Sequence, residues 1–440
     1  MTIRRWGWPA AFLAVVFIGA GAREESPAFR AALKAARWIE GREASARIPG
    51  AKDWPADPSD PASFNLSLYA GTPGVVLFFL EAYHSTGDTK FLDEARSGAN
   101  SLLAGMGGEA GMGLYEGMAG IGFVLEETYK ASGADLYRRG FLDCLTRIES
   151  AAVQKGLGVE WGSVTDIISG GAGTGLFLVY AARELGEKRW LDLAAAAGLR
   201  LIELARPEHG GLKWAMDPSF PRLMPNFSHG TAGIAYFLAR LYEETGKKEF
   251  LQAALSGAGY LRAVANMEGG GCLIFHDEPD GKDLYYLGWC HGPTGTARLF
   301  FQLSKVTGNP DWLDWMKRSA RAIMDSGIPE KETPGFWNNS GACCGLAGVA
   351  DFFLDLFRVT KDRAYLDFSR RVTERLLARG TEEGEGLKWI QAEHRMKPDL
   401  LVAQTGLMQG AAGIGLCLLH QDAEIRGRAR KIILPDTPFR

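Results

Sequence analysis

Seven times along the chain a G-x-x-G motif of small residues runs straight into an apolar stretch of helical length. The pairs are Gly71/Gly74, Gly117/Gly120, Gly170/Gly173, Gly230/Gly233, Gly292/Gly295, Gly345/Gly348 and Gly410/Gly413. A unit repeated in this way cannot bury its apolar face alone and must stack on its neighbours, which restricts the chain to a closed ring or an open solenoid. In each stretch, as in GIAYFLARLYEETG from Gly233 to Gly246, apolar residues fall on more than one helix face, so these helices are expected on the inside. After the first six, a short break (STGD, ASGA, ELGE, ETGK, VTGN or VTKD) leads to a more amphipathic helix such as FLQAALSGAGYL, expected on the outside.

The two ends of the repeat array complete each other. The seventh inner helix, Gly413 to about His420, has no outer partner after it, while an unpaired amphipathic helix spans Pro27 to Ser45. Packing one on the other closes a ring, whereas an open solenoid would carry polar capping repeats, and none is seen. The expected fold is therefore all-α: an α/α toroid of seven inner and seven outer helices, with residues 23–440 as one domain. This also accounts for glycine, which is 56 of 440 residues against an ordinary share of about 7 %. With 46 % hydrophobic residues, 23 % charged residues and a formal charge of −3, disorder and a multi-span membrane protein are excluded, and no basic excess points to nucleic acid.

Residues 1–22 read as a secretory signal peptide. Arg4 and Arg5 precede an apolar run from Trp6 to Ala20, and Ala20-Gly21-Ala22 has the small-x-small form of a cleavage site. The run is short for a bilayer span. A secreted or periplasmic protein with no stable membrane span after cleavage is expected.

The residue just before each first glycine lies at the N-terminus of an inner helix, so all seven should face one mouth of the ring. They are Ala70, Glu116, Ser169, His229, His291, Cys344 and Gln409, preceded by Tyr69, Tyr115, Ile168, Ser228, Cys290, Cys343 and Met408. Repeats four to six are ring neighbours with helix axes about 10 Å apart, so His229, Cys290, His291, Cys343 and Cys344 converge. Thiolates and imidazoles from adjacent loops are what Zn²⁺ requires, and helix N-termini help keep cysteines ionised. A Cys290–Cys343 disulfide is the rival in an oxidising compartment. Cys144 and Cys417 read as core residues and Cys272 as an uncommitted loop thiol.

W-C-H-G-P-T-G (Trp289 to Gly295), C-C-G-L-A-G (Cys343 to Gly348), S-H-G-T-A-G (Ser228 to Gly233) and G-L-M-Q-G-A-A-G-I-G (Gly406 to Gly415) together resemble the lanthionine synthetase C-like family. The resemblance runs over essentially the whole mature chain. It implies a toroid with zinc at one mouth, with Cys290 and Cys343 as the first two ligands. The family's usual histidine ligand falls on Cys344, as in a C-C-G subset that implies three thiolates. His291 matches a position that is not a ligand, His229 the acid/base histidine, and Asp166 the acidic residue of the third repeat. Tyr286 stands where an arginine is frequent.

In the implied reaction the thiol of a peptide cysteine adds to the β-carbon of a dehydroalanine or dehydrobutyrine, giving a thioether. Three thiolates on Zn²⁺ leave a formal charge of −1, which implies a more electron-rich and less selective site than two thiolates and an imidazole. The chain has no room for a dehydratase, so a separate one would supply a cyclase substrate. Two other readings remain open: a secreted zinc protein that binds peptides or small thiols without catalysis, and an α/α-toroid glycosidase using Glu116 and Asp166 as its carboxylate pair.

Overall fold

Each G-x-x-G opens a helix because the preceding loop folds back over the helix's first turn. The second glycine has no room for a side chain. A Cβ at Gly233 would lie 2.0 Å from the Phe227 carbonyl oxygen, and one at Gly413 would lie 1.7 Å from that of Leu407. The computed structural model describes residues 25–43, 48–109, 111–220 and 222–439, so the expected signal peptide lies outside the described residues.

Fourteen α-helices form among the described residues. In chain order they are α1 (Pro27–Glu40), α2 (Thr72–Thr86), α3 (Thr89–Gly105), α4 (Met118–Ser132), α5 (Asp135–Ala151), α6 (Gly171–Leu185), α7 (Lys188–Leu204), α8 (Thr231–Thr245), α9 (Lys248–Val264), α10 (Pro293–Thr307), α11 (Pro310–Asp325), α12 (Leu346–Thr360), α13 (Arg363–Ala378) and α14 (Ala411–Ile425). The even-numbered helices are the inner set. In α8 every residue from Thr231 to Leu241 is buried, whereas outer α9 buries one stripe through Phe250, Ala254, Gly257 and Leu261. The breaks are left-handed helix caps: Gly246 (φ 67°) donates its N–H to Tyr242 O at 2.8 Å, and in the sixth repeat Lys361 (φ 61°) takes that role without being glycine.

The structure is the α/α toroid. Inner helices touch in sequence around the ring, α14 packs on α2, and α1 covers α14. Helix α1 buries Phe29, Trp38, Ile39 and a stripe of alanines; it stops at Glu40, short of the expected Ser45, with Gly41 as its cap. Closure is also written in the backbone at the mouth. Tyr69 N donates to Tyr115 O (3.1 Å), Tyr115 N to Ile168 O (2.9 Å) and Ile167 N to Ser228 O (3.1 Å). Ser228 N donates to Cys290 O (2.9 Å), Cys290 N to Cys343 O (3.3 Å), Cys343 N to Met408 O (2.9 Å) and Met408 N back to Tyr69 O (2.8 Å). Seven loops therefore hold one another in register.

Two features have no counterpart in the repeat pattern. Short antiparallel hairpins follow three outer helices: β1 (Val153–Lys155) with β2 (Gly158–Glu160), β3 (Arg206–Glu208) with β4 (Gly211–Lys213), and β5 (Thr381–Glu383) with β6 (Gly386–Lys388). A fourth, β7 (Gln391–Ala392) with β8 (Leu401–Val402), carries the loop that reaches the mouth. The chain after α14 then turns into the ring. Lys431 N and Ile432 N donate to Glu81 Oε2 of α2 (3.1 and 2.7 Å), Arg430 pairs with Asp351 and Asp355 of α12, and Phe439 stacks on Phe301 of α10. No helix among the described residues is long and apolar enough to cross a membrane.

Candidate metal centre

The hydrogen-bonded ring of loops places Cys290, Cys343 and Cys344 at one focus. Their sulfurs all lie within 4.8 Å of one another, with Cys290 Sγ 3.1 Å and Cys343 Sγ 3.4 Å from Cys344 Sγ. Tetrahedral zinc with Zn–S bonds of about 2.3 Å would space its sulfurs by roughly 3.8 Å, so small shifts admit the ion. All six cysteines are free, so the alternative Cys290–Cys343 disulfide is not formed. Cys343 is the most acidic of the three: hydrogen bonds from Cys290 and Cys344, against the opposing effect of burial, hold its thiol well below the usual range. Burial pushes the Cys290 thiol up, and the hydrogen bonds to Cys290 and Cys343 push up that of Cys344. Three thiols share a buried focus that already favours one negative charge, and this donor set fits zinc.

Beside the sulfurs stands a histidine–carboxylate pair from repeats three and four. Asp166 is buried, and its Oδ1 accepts the backbone N–H groups of Ser169 and Gly170 (both 2.9 Å) while His229 Nδ1–H donates to its Oδ2 at 2.6 Å. This fixes the imidazole with Nε2 free. Burial works against the charged ring, but the hydrogen bond and charge of Asp166, with Cys343 and Glu116, raise its pKa. Glu116 is exposed, and its carboxylate accepts from Ser169 Oγ at 2.8 Å.

Cavity and sulfurs are continuous. A space of about 740 Å³ is lined by the three cysteines, His229, Asp166 and Glu116. The histidine of the fifth repeat, His291, is buried with Nδ1 lacking a hydrogen-bond partner, yet its nitrogens lie outside the sulfur cluster. Burial, then the nearby His276 and His229, hold it neutral by lowering its pKa well below the usual value. Cys144 and Cys417 are buried in the core; Cys272 is a loop thiol, as expected, but it is 2 % exposed, and burial against α11 raises its pKa to about 12.

Several cavity residues were invisible in the repeat register because they sit in connecting loops. His276, whose Nδ1–H donates to Asp277 Oδ1 at 2.8 Å, packs its ring 4.3 Å from that of His291 and 4.4 Å from that of Tyr286. Trp337 closes on Tyr286 edge-on and is fixed by its Nε1–H on Ala392 O at 2.8 Å. Only the H-D dipeptide hinted at a paired histidine.

The model of the family described as lanthionine synthetase C-like protein matches residues 62–432. The chain belongs to that family. Among solved structures, the lanthionine synthetase C-like protein described here is similar to a nisin cyclase at a TM-score of 0.63, with 16 % identity over 90 % of this chain and 93 % of that one. It also resembles an α-1,6-mannanase from Salegentibacter sp. at a TM-score of 0.51, with 14 % identity over 90 % and 99 % of the two chains. At these identities the likeness is one of fold. A curated relative, a glutathione S-transferase named LANCL1 from Danio rerio, is 28 % identical over 139 residues, about a third of each chain (32 % of both).

Proposed function

We propose that this protein holds one zinc ion through Cys290, Cys343 and Cys344 and adds a thiol across the double bond of a dehydroamino acid, making a thioether. The observation that carries the reading is the juxtaposition, in one cavity, of three converging thiols and a His229–Asp166 pair. Membership of the family supports it. Zinc bound there would supply the positive charge that lowers the pKa of an incoming thiol.

The chain's own groups carry the rest. His229 Nε2, aimed by Asp166, accepts the thiol proton. As the sulfur forms its bond to the β-carbon, the double-bond electron pair moves to the α-carbon and its carbonyl. The same Nε2–H then returns the proton to the α-carbon, so the net change is addition of S–H with no leaving group. Glu116 and Asp166 are already engaged, by Ser169 and by His229 with two amides, and the sulfur cluster has no part in a carboxylate-pair hydrolysis. The thiol would be a peptide cysteine if the nisin cyclase likeness extends to activity, with a separate dehydratase preparing the acceptor. It would be a small thiol if the glutathione S-transferase likeness does. We place the reaction outside the cytoplasm, on the leader-like first 22 residues.

The test is mass detection of a thioether after incubating the zinc-loaded protein with a thiol and an N-acyl dehydroalanine amide. Loss of product in His229→Asn with zinc retained is expected. A zinc-loaded His229→Asn protein that forms product at the native rate would remove His229 from the mechanism, and no product from the native protein would favour a binding role.

A further inference from the structure

Two residues that the repeat register brings to the mouth have no part in the reaction proposed above, Tyr69 of the first repeat and Gln409 of the seventh. The backbone makes them neighbours of a cysteine from the sixth. Cys343 N–H donates to Met408 O at 2.9 Å, and Met408 N–H donates to Tyr69 O at 2.8 Å. The Tyr69 side chain lines the cavity beside Cys343, and its hydroxyl is hydrogen-bonded to the Cys343 sulfur. A relay of amides decides which way that bond points. Asn339 Nδ2 faces the Ala392 carbonyl oxygen, which can only accept, at 3.1 Å, and Asn339 Oδ1 accepts Gly341 N–H at 2.9 Å. The same Nδ2 donates to Gln409 Oε1 at 2.9 Å, which leaves Gln409 Nε2 to donate to Tyr69 Oη at 3.1 Å. With its oxygen already accepting from Gln409, the phenol turns its proton to the sulfur. Asn339 and Gln409 are both buried, so water does not compete for the relay.

An O–H donor on a metal-bound thiolate draws electron density from the sulfur and makes it a poorer nucleophile. This matters most where three thiolates share one ion. The formal charge of −1 makes the protein's own ligands competitors of the incoming thiol for an electrophilic double bond. In that side reaction the Cys343 sulfur would bond to the β-carbon, the double-bond pair would move to the α-carbon, and the α-carbon would take a proton from water. A neutral thioether would then stand in place of an anionic ligand, and the site would be spent.

We infer that Tyr69, oriented by Gln409, shields the Cys343 thiolate from the electrophilic acceptor, so that the incoming thiol is alkylated and the ligand is not. The inference rests on the thiol-addition reading and gives two further residues a positioning role in it.

The test treats zinc-loaded native, Tyr69→Phe and Gln409→Leu proteins with iodoacetamide, reading Cys343 alkylation by peptide mass and zinc by elemental analysis. All three are expected to hold one zinc per chain. Cys343 in Tyr69→Phe should be alkylated about tenfold faster or more, the effect of losing one hydrogen bond to a charged sulfur. Gln409→Leu should accelerate it less, and should add nothing in the Tyr69→Phe background, because it acts through the phenol. Sulfur-to-cobalt absorption of the Co²⁺-loaded protein should move to longer wavelength in Tyr69→Phe, a change that packing alone would not make. Equal alkylation rates in native and Tyr69→Phe proteins overturn the proposal, as does loss of zinc from Tyr69→Phe. A second arm supplies a thiol and an N-acyl dehydroalanine amide. Tyr69→Phe should gather the mass of one acceptor on Cys343 while the native protein releases thioether and stays unmodified. If the native protein makes no thioether but Tyr69→Phe is still alkylated faster by iodoacetamide, the shielding stands and the thiol-addition reading falls. If thioether forms and the alkylation rates are equal, the shielding alone falls.

Discussion

Trp289 and Asp436, 147 residues apart in the chain, meet inside the ring, where the indole Nε1–H donates to the buried carboxylate Oδ2 at 3.2 Å. Trp289 directly precedes Cys290, and its backbone N–H donates to Cys343 O at 2.7 Å. The C-terminal tail thus supports the loop that carries a cysteine of the candidate metal centre. Asp436 also accepts from Arg298 of α10 at 2.9 Å.

Removing one member of that buried pair should be severe. Asp436→Ala leaves Arg298 uncompensated, and a loss of about 3–5 kcal/mol in urea unfolding is expected. Arg298→Met combined with Asp436→Leu should recover a large part of it. A single variant within about 1 kcal/mol of the native protein would show that the tail contributes little.

Zinc content separates the six cysteines. Ala at Cys290, Cys343 or Cys344 should take the purified protein from one zinc per chain to little or none, because two protein ligands rarely hold the ion. Cys144→Ala, in the core between α5 and its neighbours, should keep it, and Cys344→His should keep it too. Retention of metal in Cys344→Ala, measured by elemental analysis, would require a different ligand set.

Asp166→Asn should retain zinc and fold but slow thioether formation by on the order of a hundredfold or more, since an amide no longer fixes the His229 tautomer. The accompanying change is a pH profile shifted down, because the aspartate is what lifts His229 above its usual value against burial. Unchanged rate and profile would reduce the pair to a structural contact.

Asp351 of α12 makes an acid-sensitive joint with Arg430 of the tail and His420 of α14. Burial opposes its ionisation, yet His420 and Arg430 outweigh this and hold its carboxyl far below the usual value of 3.8. A depressed folded-state pKa means stabilisation that is complete above the unfolded value and is lost as pH falls toward the folded one. The stability gap between native protein and Asp351→Asn should therefore be constant near neutrality and narrow by about 1 kcal/mol by pH 3. A gap that widens on acidification would reverse the assignment.

Two glycine-to-alanine changes should have opposite signs. Gly233→Ala drives a methyl into the Phe227 carbonyl and should unfold or severely destabilise the protein, whereas Gly259, in α9, has nothing within 4 Å of its Cβ position. Gly259→Ala should add about 0.5–1 kcal/mol through helix propensity. Thermal unfolding of both variants reads the contrast directly.

The ring, its seven helix pairs and the meeting of Cys290, Cys343, Cys344 and His229 were legible in the residues alone. Repeat register is a local, one-dimensional signal: a glycine that must admit a carbonyl oxygen recurs in each unit, and whatever precedes it recurs at the same mouth. Residues outside the register carried no such signal. His276 and Arg395 enter the cavity from loops whose paths are set by packing and by the β7–β8 pairing, and Cys272 is buried only because its loop lies against α11. The tail was equally hidden, since a polar segment with Arg430 and Asp436 reads as solvent-exposed until a ring of inner helices presents Asp351, Asp355 and Arg298 to pair with it. Periodicity decided which side chains share a mouth; long-range charge pairing and loop packing, which have no period, decided what surrounds them.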